Sequence, residues 1–366
     1  MQSIIVVFYL RDERNLNISM YENTKADLLS MKSDELEKFV VSLGHPRYRA
    51  KQIWQWMYRA KDFSEMSNLP EKMRSELSEA AVINVPEIEK KLVSAADGTV
   101  KYLFRLKDGN LIESVLMRYR YGLSLCVSSQ CGCRMGCRFC ASTLDGLIRN
   151  LMPSEILGQL IAAQTDSGER VSHIVLMGIG EPLDNYDNVI RFIRLASSPD
   201  GLGISCRNIS LSTCGVVPNI LRLAEEGLPV TLSVSLHASD DVARSDLMPV
   251  NRAWGIDALL AACALYFKKT GRRISFEYTL IANKNDSREE ADRLSRLLKK
   301  YFKSGVHVNI IPLNPVKERE YRTVDRRCAA RFSEFLQKNG INATVRRTLG
   351  PDINASCGQL RRSHKA

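Results

Sequence analysis

The spacing of apolar residues changes character twice along the chain. Over residues 25–81 it is helical. "SDELEKFVVSLG" begins with Ser33 as an N-cap and an acidic first turn, and it stops at Gly44. "RAKQIWQWMYRA" brings Ile53, Trp54 and Met57 to one face, and "LPEKMRSELSEAA" sets Pro70 at a helix start. Over residues 91–119 the period becomes two. Asp97-Gly98 and Asp108-Gly109 mark turns between segments rich in Val, Leu, Tyr and Phe, so short antiparallel strands are expected. Glu113 falls on the apolar face of one of them, with Leu111 and Val115, which suggests an edge position.

From residue 123 onward strand-like and helix-like segments alternate. The strand candidates are 123–129, 173–178, 208–213, 230–237, 274–281, 306–313 and 342–347. Stretches such as "PSEILGQLIAAQ" and "EEADRLSRLLKKYF" read as the helices between them. Repeated strand–helix units imply an α/β fold of parallel strands with helices outside, as a barrel or an open sheet. The chain thus divides into four regions: an N-terminal extension over 1–24, a helical domain over 25–85, a strand-rich connection over 86–120, and the α/β part over 121–366. The only strongly apolar N-terminal run, "IIVVFYL", is too short to span a bilayer, and Met20 is a plausible start of translation.

Composition adds two constraints. The chain has 366 residues, a formal net charge of +11 and a pI near 9.2, which favours a polyanionic partner such as nucleic acid. Arg47, Arg49 and Lys51 near a helical turn, and "RRTLG" at 346–350, concentrate that charge. With no secretory signal evident, a cytoplasmic setting is expected, and there ten cysteines point to thiols or metal ligands rather than structural disulfides. Cys263 and Cys328 read as buried helix residues.

Five of the cysteines lie in "CVSSQCGCRMGCRFC", residues 126–140, directly after the first α/β strand. Structural zinc asks for four ligands, usually two CxxC pairs, and only Cys137-x2-Cys140 qualifies. Cys133-x3-Cys137-x2-Cys140 fits a four-iron cluster better. Three ligands leave one iron open to chelate S-adenosylmethionine, whose one-electron cleavage yields a 5′-deoxyadenosyl radical. Phe139 would shield the cluster. One unit later, the turn "GIGEP" supplies close backbone approach and Glu181, which can take the ammonium of the methionine moiety. In folds of this kind such loops gather at the carboxyl ends of the strands.

The quoted cysteine stretch, with "MGIGEPLDN", "LSTCGVVP", "SLHAS", "IPLNP" and "DINASCGQL", resembles the RlmN/Cfr family of radical-SAM RNA adenine methyltransferases, from about residue 30 to Arg361. The resemblance implies a partial (β/α)6 barrel, an N-terminal helical RNA-binding domain and a C-terminal catalytic loop. It implies one 4Fe-4S cluster on Cys133, Cys137 and Cys140, and S-adenosylmethionine used twice per turnover. Gly180, Glu181, Ser212, Ser235, Leu236, His237 and Asn314 would contact S-adenosylmethionine. Cys357 would carry the methyl group, Cys126 would resolve it through a disulfide, and Glu113 would be the base, against the edge reading above. The implied substrate is adenine in 23S rRNA and, in some members, tRNA. A monomer served by a one-electron donor such as flavodoxin is expected. "GLIRNL", "IPLNPV" and "ESVLM" lean toward the branch that methylates C2. C8 methylation, and an iron–sulfur RNA-binding protein without catalysis, stay open from the residues alone. Cys131 and Cys214 depart from the family's usual Val and Ser.

Overall fold

The computed structural model describes residues 25–60, 62–316, 318–353, 355, 360–361 and 364. Residues 1–24, including Met20, and Cys357 lie outside the described residues.

The helical domain is closed by a short parallel pair, β1 (Ala26–Asp27) with β2 (Ala81–Val82). Between them run α1 (Ser33–Ser42), α2 (Tyr48–Met57) and α3 (Glu71–Ala80). Their apolar faces bury Leu36, Val40, Ile53, Met57, Met73 and Leu77. Ser33 is the first helical residue rather than the cap. The start is fixed instead by Glu35, whose carboxylate accepts the Lys32 N–H at 2.8 Å. Pro70 does precede α3. Arg47 and Lys51 are exposed, and the Arg49 guanidinium lies over the Tyr48 ring at 5.0 Å.

Next come β3 (Glu87–Val93), β4 (Val100–Arg105) and β5 (Leu111–Tyr119), antiparallel, with Gly98 and Gly109 at positive φ in their two turns. These strands are continuous with the α/β part. β5 pairs antiparallel with β6 (Gly122–Cys126), and β6 opens the parallel sheet. A small hairpin, β7 (Gln130–Gly132) with β8 (Leu147–Asn150), interrupts the chain before the α/β alternation begins. That alternation is α4 (Pro153–Ser167), β9 (Val171–Leu176), α5 (Tyr186–Ser197), β10 (Ile209–Thr213), α6 (Val217–Glu225), β11 (Thr231–Ser235), α7 (Asp241–Leu247), α8 (Ile256–Thr270), β12 (Ile274–Leu280), α9 (Arg288–Tyr301), β13 (Val306–Pro312), α10 (Arg326–Lys338) and β14 (Ala343–Val345). The sheet order is β14-β13-β12-β11-β10-β9-β6-β5-β4-β3. The strands from β6 to β14 are parallel, so the six expected for the barrel are extended by a short seventh at the far edge.

Period-two alternation sorts the two faces of this sheet. Leu125, Ile174, Leu211, Leu232, Phe276 and Ile310 are fully buried under the helices. Ser212, Ser235, Glu277 and Thr279 face the hollow side and line a cavity. A closed barrel normally packs branched apolar side chains there; this one keeps its concave face polar and open.

Hydrogen bonds and an ion pair fasten the helical domain to the barrel. Trp54 Nε1 donates to the Asp200 carbonyl at 2.6 Å. Arg191 of α5 donates to the Ser30 carbonyl at 2.6 Å and pairs with Glu35. The Asp27 carboxylate accepts from the hydroxyls of Ser30 and of Ser154 on α4. Cys263 is fully buried in α8, whereas Cys328 is only half-buried, packed at the edge of the core on α10 with its thiol toward Asp286.

Candidate active site

The β7–β8 hairpin shapes the cysteine loop. At its base the Cys133 N–H donates to the Gly146 carbonyl at 2.9 Å. Gly132 sits there at φ +83°, and a Cβ would lie 2.0 Å from the Gly146 oxygen, so no other residue permits the pinch. Within the loop the Thr143 hydroxyl is 3.1 Å from the carbonyls of both Cys137 and Cys140. The Arg138 N–H donates to the Leu247 carbonyl at 2.9 Å, docking the loop on α7.

Cys133, Cys137 and Cys140 all line one cavity of about 350 Å³ at the carboxyl ends of the strands. Burial pushes the Cys133 thiol up to about 12 and raises Cys137 well above its ordinary value; the nearby Cys140 adds to both, and Cys133 adds to Cys137. Buried thiols that repel one another as thiolates need a cation among them. Among the described residues, no group of three or more His, Cys, Asp or Glu side chains is placed to hold a single metal ion. A four-iron cluster does not require that, since each of its thiolates binds a different iron. Three thiols on one cavity wall are a donor set that such a cluster can use.

Cys131 is excluded from this set. It lies on β7 opposite Arg149, is fully buried and belongs to the apolar core. Cys131→Ala should keep full iron content after anaerobic reconstitution and lower stability by about 1 kcal/mol, read from denaturant melts.

The turn after β9 supplies the opposite wall. A Cβ on Gly178 would meet the Val127 carbonyl at 2.5 Å, and one on Gly180, at φ +109°, would meet Gln130 Cβ at 2.6 Å. The Glu181 carboxylate is buried and accepts the N–H groups of Cys214 at 2.7 Å and Leu183 at 2.9 Å. Burial raises its pKa. A buried carboxylate held by neutral donors is the complement of an ammonium group. Ser212, Ser235, His237 and Asn314 line the same cavity. His237 adopts φ +58° and its Nδ1 accepts the Thr279 N–H at 2.8 Å, which leaves the ring proton on Nε2. Burial lowers its pKa to about 3, so the ring is a neutral donor, and the Phe139 ring meets it edge-on. The Leu236 side chain is fully buried in the core and does not reach the cavity.

Cys126 lines the cavity beside Val115 and Met117. It is a free thiol, so the implied disulfide is not formed, and Cys357 lies outside the described residues. Glu113 does not occupy an edge. β5 is paired on both sides, and Glu113 is 2% exposed, with one carboxylate oxygen 3.1 Å from the Lys101 ammonium and the other accepting the Arg361 N–H at 2.6 Å. The expectation failed because the compensating cation comes from a neighbouring strand.

The C-terminal segment is fastened on either side of position 357. Asp352 accepts from the Ser94 hydroxyl at 2.6 Å and the Ala95 N–H at 2.9 Å, and Asp97 accepts the Gly350 N–H at 2.9 Å. Downstream, Arg361 holds Glu113 and Asp145. Burial works against the Asp97 charge, but the N–H groups of Gly350 and Thr99 outweigh it and hold the carboxyl at about 2, below its ordinary 3.8. A depressed carboxyl stabilises above its unfolded pKa and loses that contribution as pH falls toward the folded value. Asp97→Ala should speed exchange of the Gly350 amide at neutral pH. It should also remove the loss of protection that the unaltered chain shows below pH 3.8, measured by hydrogen exchange.

Among the residues that carried no motif are one on this cavity wall and one behind it. Glu277 lines it, buried, accepting from Ser275 at 3.0 Å and Asn309 at 2.7 Å; burial raises its pKa and Arg346 opposes that. The alternation Ser275, Glu277, Thr279 between Ile274, Phe276 and Tyr278 was the available signal. Arg244, behind the wall, had none. No helix among the described residues is long and apolar enough to cross a membrane.

Known proteins share this arrangement. Residues 26–83 match the "Ribosomal RNA large subunit methyltransferase N-terminal domain" family and residues 127–295 match the "Radical SAM superfamily". A protein of Lachnoclostridium phytofermentans, named "Probable dual-specificity RNA methyltransferase RlmN", is 52% identical over 93% of this chain and 95% of its own length. One of the same name from Pelotomaculum thermopropionicum is 53% identical over 89% of each chain. The crystal structure of a radical SAM methyltransferase from Sphaerobacter thermophilus superposes with a TM-score of 0.87 at 42% identity, covering 91% of this chain and 98% of that one.

Proposed function

Since the chain belongs to the RlmN family of radical-SAM RNA methyltransferases, we propose that it methylates C2 of adenine in 23S ribosomal RNA and in transfer RNA. It is an S-adenosylmethionine-dependent RNA methyltransferase whose cofactors are a 4Fe-4S cluster and S-adenosylmethionine. The observation that carries the finer reading is the shared cavity. Cys133, Cys137 and Cys140, the Glu181 and His237 walls, Cys126 and the basic Arg346 all open onto one space beside the segment that contains position 357.

Adenine C2 lies between two ring nitrogens and is too electron-poor to attack a sulfonium methyl as a nucleophile. The cluster, when bound, supplies the electron that cleaves S-adenosylmethionine and so the radical this carbon requires. Everything else falls to the protein. Cys133, Cys137 and Cys140 hold the cluster, and Phe139 with Met135 and Met177 walls water from it. Glu181 receives the methionine ammonium, and the neutral His237 Nε2–H donates without adding charge. Cys357 accepts a methyl group from a first S-adenosylmethionine and becomes the carbon's carrier to C2. Glu113 takes the C2 proton, and the carbon–sulfur bond then breaks as the Cys126 thiol, which lines the same cavity, joins the Cys357 sulfur, so that the methylated base leaves and an external thiol resets the pair. Arg47 and Lys51 on the helical domain, and Arg346 and Arg347 at the cavity mouth, meet the RNA backbone.

Anaerobically reconstituted protein, given 23S RNA or tRNA and labelled S-adenosylmethionine, should yield 2-methyladenosine by nucleoside mass spectrometry. The appearance of 8-methyladenosine without the 2-methyl isomer would replace this reading with C8 methylation.

A further inference from the structure

Arg244 is among the most deeply buried side chains of the protein, with no exposed surface. Its guanidinium donates to four neutral oxygens. Nε meets the Leu236 carbonyl at 3.2 Å, Nη1 the Asn251 side-chain oxygen at 2.8 Å, and Nη2 the carbonyls of Cys214 at 2.7 Å and Ser235 at 2.9 Å. Asp241, on the same helix, spends one carboxylate oxygen on the Ile256 N–H and the Asn251 amide. Burying a cation against neutral acceptors is costly unless an anion lies nearby.

The geometry says where that anion belongs. Cys214 and Ser235 end the strands β10 and β11 and line the cavity that holds the cluster cysteines. Gly215 turns past the guanidinium at φ +109°, leaving 3.2 Å between its Cβ position and Nη2. The helix that carries Arg244 receives the cysteine loop through Arg138 at Leu247, and Gly136 packs on Pro249. A four-iron cluster on three thiolates carries one net negative charge, and two after reduction.

We propose that Arg244 is a positioning residue for both cofactors: it clasps the ends of β10 and β11 around S-adenosylmethionine, and its fixed charge stabilises the reduced cluster. This rests on the cofactor assignment above. Reduction adds one electron from an external one-electron donor, and Arg244 exchanges no proton in it.

The test is an EPR-monitored redox titration with dithionite, on anaerobically reconstituted protein without RNA, together with S-adenosylmethionine binding by calorimetry. Arg244→Met should move the midpoint to a more negative potential. Arg244→Lys keeps the charge but not the fork of donors. It should keep the wild-type midpoint while binding S-adenosylmethionine at least about tenfold more weakly, the loss of one or two hydrogen bonds. An unchanged midpoint in Arg244→Met, or a Lys variant that shifts as far as the Met variant, overturns the charge role. Wild-type S-adenosylmethionine affinity in Arg244→Lys overturns the clasp. If the Met variant fails to fold in a thermal melt, the Lys variant alone decides, since the proposal demands its particular split. A wild-type protein with no reducible cluster signal would instead refute the cofactor assignment.

Discussion

Cys137→Ala will come out of anaerobic reconstitution with most of its iron gone, will not cleave S-adenosylmethionine, and will form methylated RNA only at the detection limit. Cys137 is the middle one of the three and is buried. Its thiol is raised by burial first and by Cys140 and Cys133 next, so it becomes a thiolate only when iron is there to hold it. Two remaining ligands cannot fix a cubane with one open iron. The contrast with Cys131→Ala, at a buried thiol that does not line the cavity, separates loss of a ligand from loss of a buried sulfur. Iron content close to wild type in Cys137→Ala would show that another side chain, Cys214 or Cys126, had taken its place.

The second large effect concerns the buried pair of Lys101 and Glu113. Both are at the centre of a strand pairing, with side chains 1% exposed, on the diagonal of the β4–β5 ladder. Glu113→Gln should lower stability by about 3 kcal/mol, because the Lys101 ammonium loses a close carboxylate in a site that water does not reach. Replacing both, as Lys101→Met with Glu113→Leu, should recover most of that loss, since a well-packed apolar pair can substitute for a buried ion pair. Turnover separates the chemistry from the packing. The double variant should still release no methylated RNA and should trap RNA on the enzyme, with the crosslinked peptide mapping to Cys357. Normal product from the stable double variant would mean that Glu113 serves only the fold and the Arg361 anchor.

What could be read from the chain and what could not divide along physical lines. The spacing of Cys133, Cys137 and Cys140 is local, and ligand chemistry acts on local spacing, so the sequence could single them out, and the fold brings all three onto one cavity. Strand periodicity anticipated even the short β14. Glu113 was misjudged because its partner lies on a different strand, and Cys328 because one helical turn decides which way a thiol faces. The β7–β8 hairpin hid in a glycine-rich, cysteine-rich stretch whose pairing is set by the turn of the loop rather than by alternation. Arg244 was invisible for a stronger reason. Its meaning lies in the carbonyls around it, and backbone groups leave no letter in a sequence.

The fastening of the helical domain has a consequence for which adenine is chosen. Trp54 on Asp200, Arg191 on Ser30 and Glu35, and Ser154 on Asp27 make the domain and the barrel the two jaws of one caliper. On the proposed reading, in which the RNA is gripped along α2, its adenine would reach the cavity as a tethered group, at an effective concentration on the order of millimolar where the intervening RNA spans the gap, and near zero where it does not. Two unrelated RNAs of equal span would then be served alike, and an isolated nucleoside should compete poorly with either.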